Sequence, residues 1–193
     1  MAEPRIPPLP QEKWTDAARE VFAYWEGEEA RENGSKSNTM MTLAQHPKLA
    51  MASLDLGKYF MLESTLAARE QKMIVLRVAH RYDSTYQWTH NSLGALQVGF
   101  TEEEIQAVRK GPGDPIWGTL DRLVLIAVDE VGDGGRLSEA TWLELSEHFS
   151  REKIMDLIHA TGFFTMVAWG LIAMGVQVEP DFASFSRNRA KEG

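Results

Sequence analysis

The sequence contains no cysteine. Disulfide bonds, thiolate metal sites and mechanisms that need a reactive thiol are therefore excluded for this chain. Clusters of basic residues are also missing, because 20 lysines and arginines are scattered among 28 aspartates and glutamates and the formal net charge is −8. A surface that binds nucleic-acid phosphates needs clustered lysine and arginine, so we expect no nucleic-acid partner.

Long apolar segments are scarce as well. The longest uncharged run, 160–178, is interrupted by glycine, threonine and glutamine. It indicates a helix that is deeply buried or shared with another subunit, rather than a membrane span. The N-terminal segment carries prolines where a secretory signal would be apolar. We therefore expect a cytoplasmic protein with no membrane partner.

What the chain does contain is helical periodicity. Apolar residues recur every three or four positions through most of the 193 residues, and no segment alternates as a strand does. We predict an all-α protein with a single helical domain over 13–178, an extended proline-rich arm over 1–12 and a C-terminal tail over 179–193. Helices are expected over about 67–82, 84–98 and 152–174.

Several helix starts carry capping signals. Thr101 and Glu104 form a capping-box pattern, and Ser138 is a typical N-cap residue. Asp114 followed by Pro115 predicts another N-cap, with the proline in the first turn of a helix that runs to about residue 131.

The most informative segment is 66–99, where two predicted helices meet at a polar elbow. In a helix that begins near Ser84, Tyr86, Gln87, His90 and Asn91 share one broad face, which Asp83 and Gly94 extend. His90 is a candidate proton donor or acceptor and Tyr86 a hydrogen-bond donor.

Other residues near the elbow are candidates for substrate binding. Lys72 or Arg77 would neutralise the charge of a carboxylate or enolate. Simpler interpretations also exist: Ser84 and Gln87 form a capping-box pattern, Trp88 suits packing, and a lone histidine such as His90 is often structural.

Four strings resemble a known family. They are Leu43-Ala-Gln-His-Pro47, Leu76-Arg-Val-Ala79, Tyr86-x-Trp-x-His90 and Gly99-Phe-Thr-x-Glu-Glu-Ile105. Together they are similar to the carboxymuconolactone decarboxylase family, which includes the AhpD-like alkylhydroperoxidases. The resemblance is firm over 38–110. It implies an all-helical domain that assembles into trimers or hexamers, with the active site near the Tyr-x-Trp-x-His helix.

The chain departs from the peroxidase branch of that family at the reactive positions. The cysteines of the Cys-x-x-Cys pair correspond to Ser84 and Gln87, the glutamate to Lys72 and the histidine to Asn91, with His90 immediately before it. A serine hydroxyl does not replace a thiolate in peroxide reduction, because that reaction oxidises sulfur. Thiol peroxidase activity is therefore excluded.

The resemblance and the residues together predict a cofactor-independent enzyme without a metal. We expect acid–base chemistry, by decarboxylation, isomerisation or a lyase step, on a small carboxylate or lactone-type substrate. His90 and Tyr86 are the expected catalytic groups. The expected substrate-binding residues are Gln87, Asn91, Lys72, Arg77, Trp88 and Ser84. The alternative is a non-catalytic oligomeric binding or scaffold protein whose active site has decayed.

Overall fold

The computed structural model describes residues 3–182, a range that contains helices and connecting turns but no strand. The all-α prediction is therefore confirmed. A 3₁₀ turn occupies Gln11–Lys13, and a π-helical turn at Tyr59–Glu63 follows the fourth helix. The α-helices of this range are α1 (Asp16–Glu26), α2 (Glu29–Asn33), α3 (Asn38–Leu43), α4 (Pro47–Lys58), α5 (Ala68–Arg81), α6 (Thr85–Gln97), α7 (Glu102–Lys110), α8 (Thr119–Gly134), α9 (Glu139–His148) and α10 (Arg151–Met174).

The chain forms two compact units. Within the described range, one comprises residues 3–59 and 170–182 and the other residues 60–169. In the first unit, Val21 and Phe22 of α1 are fully buried against Met40 and Leu54. Residues 3–10 are not helical, yet Leu9 is buried in this core and its backbone N–H donates to Met41.

The domain boundaries remain a prediction. The arm predicted over 1–12 and the tail predicted over 179–193 extend past the described range, and residues 1–2 and 183–193 lie outside it.

The second unit is built around α5. This helix contacts α6, α7 and α8, and its successive residues Met73, Ile74, Val75 and Leu76 are all buried. Burial at four consecutive positions exceeds one helical face, so α5 is covered by neighbouring helices on most sides. Polar residues of α5 are consequently forced into partly buried positions. Their hydrogen-bond and ion-pair partners therefore show which of their charges are balanced within the protein.

Two predicted helix starts are confirmed by their hydrogen bonds. Thr101 Oγ1 accepts from the Glu104 N–H at 3.1 Å, and the Glu104 carboxylate accepts from the Thr101 N–H at 2.8 Å. Ser138 Oγ accepts from the Thr141 N–H and caps α9.

The helix start predicted at Asp114 is wrong. Helix α8 begins at Thr119, and the residue before it is Gly118. The Asp114 carboxylate instead accepts from the Ile116 N–H at 3.0 Å, which closes a turn. An aspartate followed by proline suits such a turn as well as an N-cap, so the local signal alone did not distinguish them.

Helix α10 is less buried than its composition predicts. Met166 is 47% exposed and Trp169 is 57% exposed, so the expectation that the helix lies deep in the core is wrong, and sharing with another subunit stays a prediction. In the described part of the chain, α10 is the one helix long and apolar enough to cross a bilayer, judged by length and composition only. Core helices often share that property.

Candidate functional site

The predicted elbow is a tight turn between α5 and α6. Asp83 adopts φ +54°, and it is the one non-glycine residue of the described range with positive φ. Aspartate tolerates this left-handed conformation better than most residues. The Ser84 N–H donates to the Ala79 carbonyl at 2.8 Å and closes the turn. The two helices therefore run antiparallel, and the middle of α5 lies beside the second half of α6.

Lys72 of α5 crosses to α6 and binds a neutral partner. Its Nζ donates to Asn91 Oδ1 at 2.9 Å, and Asn91 Nδ2 donates to the Gln87 carbonyl at 2.9 Å. The lysine side chain lies against Gly94, where an added Cβ would stand 2.9 Å from Nζ. No salt bridge of the described residues involves Lys72, and burial lowers the pKa of its ammonium group.

Buried polar atoms without partners line the first half of α6. In the described part of the chain, Ser84 Oγ, Gln87 Oε1 and Trp88 Nε1 have no hydrogen-bond partner, although these residues are at most 8% exposed. The same is true of the Thr89 and Ser92 hydroxyls. Buried polar groups are nearly always satisfied by protein or by ordered water, so these atoms are available to hydrogen-bond a water molecule or a ligand.

The capping-box interpretation of Ser84 and Gln87 is wrong. Ser84 precedes α6, but its side chain makes no capping hydrogen bond. Gln87 Nε2 donates instead to the Phe164 carbonyl of α10 at 3.1 Å. The two residues are therefore oriented toward the interior of the second unit and not toward their own backbone.

Tyr86 and His90 form a stacked pair on the adjoining side of α6. Their ring centroids lie 4.4 Å apart, and the rings are inclined by 27°. Tyr86 is buried and His90 is half-buried. Because His90 directly precedes Asn91, its ring flanks the face of α6 that Lys72 contacts.

Trp88 has the surroundings of a packing residue. The Arg109 guanidinium lies 4.3 Å from its ring centroid, and the His80 ring meets it edge-on at 6.3 Å. Burial lowers the pKa of His80, and the positive charges of Arg77 and Arg109 lower it further. The indole N–H, which lacks a partner in the described range, is the part of Trp88 still able to bind a ligand.

The Arg77 side chain makes contacts that stabilise the fold. Its guanidinium makes a bidentate ion pair with Asp129 at 2.7 and 2.8 Å and donates to the carbonyls of Val108 and Arg109. Those carbonyls end α7, where a positive charge is favourable. The structure therefore gives Arg77 a structural partner set, whereas no salt bridge of the described residues involves Lys72.

The structure thus brings together part of the predicted set. Hydrogen bonds join Lys72, Asn91 and Gln87, while Ser84 lies one helical turn away on the same side of α6. Gly94 was predicted to extend this face of α6 but not to adjoin Lys72, and Phe164 was not among the predicted residues. A glycine in the middle of a helical pattern was the available signal for Gly94, whereas no sequence pattern predicts a carbonyl contributed by α10.

A metal site has no support in the described residues, because no group of three histidine, aspartate or glutamate side chains is placed to hold an ion there. Asp129 and Asp133 are engaged with an arginine, because both pair with Arg81.

Comparisons with known proteins give structural matches alone. No family model and no curated protein matches the sequence. A peroxidase-related protein with an alkylhydroperoxidase AhpD core, from Ralstonia eutropha JMP134, is 21% identical, with a TM-score of 0.78 over 94% of this chain and 96% of that one. A peroxidase-related protein from Silicibacter sp. TM1040 is 19% identical, with a TM-score of 0.76 over 94% of this chain and 97% of that one.

The debrominase Bmp8 is also similar. It is 17% identical, with a TM-score of 0.73 over 94% of this chain and 96% of that one. A cysteine-to-alanine variant of that enzyme has been solved in complex with 2,3,4-tribromopyrrole. At these identities the similarity concerns the fold, and it extends over nearly all of each chain. The protein therefore has the AhpD-like fold that its sequence motifs predict.

Proposed function

We propose that this protein is a cofactor-independent enzyme that binds a small carboxylate or lactone-type substrate and acts on it by acid–base chemistry. The observation that carries the proposal is the partly buried Lys72 ammonium, whose one hydrogen-bond partner among residues 3–182 is the neutral Asn91 amide. A buried charge without a counter-charge is costly. An anionic substrate would supply that counter-charge and would be held in a fixed place.

The other polar groups suggest how the substrate is oriented. Ser84 Oγ is a donor and acceptor, and Gln87 Oε1 an acceptor, without partners in the described range. Trp88 Nε1 adds a donor. In this proposal, His90 transfers a proton and the stacked Tyr86 assists it. Decarboxylation, isomerisation and lyase steps can all be assisted by a cation combined with a proton-transfer group.

Thiol chemistry is not part of the proposal. Two of the structural neighbours are described as peroxidase-related, and the ligand complex of the debrominase was obtained with a cysteine variant. This chain has no cysteine, and Ser84 and Gln87 stand where the resemblance implies the cysteine pair. We accordingly propose an activity that needs no oxidisable sulfur, in a cytoplasmic protein.

Ligand binding tests the anion site directly. The protein would be screened by thermal shift against small carboxylates and lactones, and the best ligand titrated calorimetrically. At a ligand concentration of about 100 times Kd, binding stabilises the fold by about 2.7 kcal/mol. We expect Lys72→Gln to lose this stabilisation and Lys48→Gln, which alters an exposed lysine, to keep it. Equal shifts for both variants would contradict the anion site.

Proton transfer is tested separately. We expect His90→Ala to bind the ligand with little change but to reduce turnover by about a hundredfold or more. His148→Ala, at an exposed position of α9, serves as the matched control. Full turnover in His90→Ala would remove His90 from the mechanism.

The second candidate function is a non-catalytic oligomeric scaffold, and the surface of α10 favours oligomerisation. An exposed stripe follows this helix at spacings that alternate between four and three residues, as in the seam of a coiled coil. Its members are Met155, His159, Gly162, Met166, Trp169 and Ala173. We propose that a second copy of the chain covers this stripe in a trimer or hexamer.

The assembly is tested by light scattering after size-exclusion chromatography. We expect the wild type to be oligomeric and Met166→Glu to dissociate it, because a carboxylate would enter an apolar interface. Leu143→Glu changes an equally exposed leucine of α9 and should leave the mass unchanged. A monomeric wild type would refute the oligomer. An oligomer in which His90→Ala has no effect on any turnover would favour the scaffold.

A further inference from the structure

Lys72 is the exception among the charged residues of the second unit that line α5. The positive charges of the neighbouring arginines are balanced by carboxylates. Arg69 pairs with Glu104 and Asp121, and Arg77 and Arg81 both pair with Asp129. Lysine has a flexible stem that reaches solvent easily. A lysine that instead lies between two helices is held there by a local arrangement, which the structure shows.

That arrangement is a groove in α6. Gly94 lies in the middle of the helix, where glycine is less stable than alanine by about 1 kcal/mol. An alanine Cβ there would stand 2.9 Å from Lys72 Nζ and 3.0 Å from Cε, both closer than ordinary contact. The glycine thus gives up helical stability and provides room for the amine, whose position is then set by Asn91 Oδ1 at 2.9 Å.

An amine in these surroundings has a characteristic reactivity. Desolvation disfavours the ammonium form, and burial lowers the pKa of Lys72. A larger fraction of neutral amine is then present near neutral pH than for an exposed lysine. Lysines of this kind act as nucleophiles toward carbonyl compounds and form Schiff bases. The hydrogen bond to Asn91 Oδ1 favours the ammonium form, but its acceptor carries no charge, and burial still lowers the pKa of Lys72.

We propose that Lys72 Nζ forms a Schiff base with the keto group of a β-keto acid and serves as the electron sink for its decarboxylation. This inference rests on the proposed function, because it assigns a nucleophile and a substrate class to the same site. The geometry that carries it is the placement of the amine in the Gly94 groove, beside Asn91 and on the face of α6 that His90 flanks.

The proposed reaction is balanced with water and one proton. The neutral amine adds to the keto carbon, and the resulting carbinolamine takes up a proton and loses water to give a protonated imine. The bond between the α-carbon and the carboxylate breaks, its electron pair moves into the iminium group, and carbon dioxide leaves. The enamine carbon then takes a proton from His90, which recovers it from solvent. Water hydrolyses the protonated imine, which releases the ketone, restores the neutral amine and returns the proton taken up when the imine formed.

Reductive trapping tests this step. The protein would be incubated with acetoacetate and sodium cyanoborohydride, and the adduct located by mass spectrometry. Trypsin does not cleave after an alkylated lysine, so modification at Lys72 joins two peptides into one that spans 70–77. We expect an isopropyl group on that peptide well before exposed lysines are modified. Equal labelling of Lys48 and Lys72 would overturn the proposal.

Variants separate this inference from the proposed function. We expect Lys72→Gln to lose the adduct and the accelerated release of carbon dioxide, and Lys48→Gln to retain both. Gly94→Ala is a second test that does not depend on how Lys72→Gln folds, since it displaces the amine without removing it; we expect adduct formation to slow by about tenfold. If carboxylate binding depends on Lys72 but no adduct forms, the Schiff base is refuted and the anion site stands. If neither binding nor labelling depends on Lys72, both are refuted.

Discussion

Replacing Gly94 by alanine separates stability from function at this site. Alanine is favoured over glycine inside a helix by about 1 kcal/mol. The new Cβ would be about 0.5 Å too close to Lys72 Nζ for ordinary contact. The atoms it meets belong to the end of a flexible side chain, so the lysine moves and the helix does not. We therefore expect Gly94→Ala to raise the free energy of unfolding by up to about 1 kcal/mol.

The same change should impair the site. A hydrogen bond to a charged group contributes about 1.5–3 kcal/mol, and moving Nζ by half an ångström weakens the bond to Asn91 and misplaces the amine. We expect the affinity for a carboxylate ligand to fall by about tenfold, which corresponds to 1.4 kcal/mol. Urea unfolding measures the stability, and calorimetric titration measures the affinity.

A matched control is available in α10. A Cβ at Gly170 would meet only the Met174 methyl group at 3.6 Å, an ordinary contact. Gly170→Ala should therefore alter stability through helix propensity without changing ligand affinity. The reasoning would be refuted if Gly94→Ala kept full affinity. It would also be refuted by destabilisation of more than about 2 kcal/mol, since the lysine would then be a structural element and not a displaceable group.

Three further predictions follow from the same contacts. Lys72→Met should raise stability near neutral pH. The pKa of Lys72 is lower in the folded protein than in the unfolded chain, so the unfolded chain binds more protons just below the ordinary value of 10.5. The stability of the wild type therefore rises with pH in that window. Urea unfolding of the variant should show a smaller rise. Ser84→Ala removes a buried hydroxyl that has no partner in the described residues. It should leave the free energy of unfolding unchanged or raise it by up to about 1 kcal/mol, and it should weaken ligand binding. A clear loss of stability would contradict this prediction. Asp129→Asn should lower the free energy of unfolding by about 3 kcal/mol, because the mostly buried Arg77 and Arg81 would lose the carboxylate they share. Urea unfolding followed by circular dichroism measures this loss. A loss of less than about 1 kcal/mol would contradict the prediction.

Local sequence signals predicted the helices well. The period of apolar residues located α5, α6 and α10 to within two residues at each end, because amphipathic periodicity directly reflects which side of a helix is buried. The caps at Thr101 and Ser138 also followed from local rules. The helix start at Asp114 did not, because a turn and an N-cap use the same aspartate-to-backbone hydrogen bond.

The candidate site was also predictable from the sequence only in part. Sequence motifs indicated the fold and placed Lys72, Gln87, His90 and Asn91 in one segment. They did not distinguish Lys72 from Arg77 as the candidate for binding an anionic substrate, because each is a positive charge on the same predicted helix. That choice depended on Asp129, which lies 52 residues from Arg77 in the chain and ion-pairs with it.

By itself, the sequence determined the all-α class, the helix positions, the absence of thiol chemistry and the AhpD-like motifs, since all of these depend on residue type and on spacing along one chain. The tertiary structure decided which polar groups are satisfied. Gln87 donates to the Phe164 carbonyl, which no local pattern predicts. Arg77 is neutralised, while Lys72 is held in the groove at Gly94 beside a neutral amide. Burial and charge compensation depend on neighbours distant in sequence, and those neighbours make Lys72 the reactive candidate.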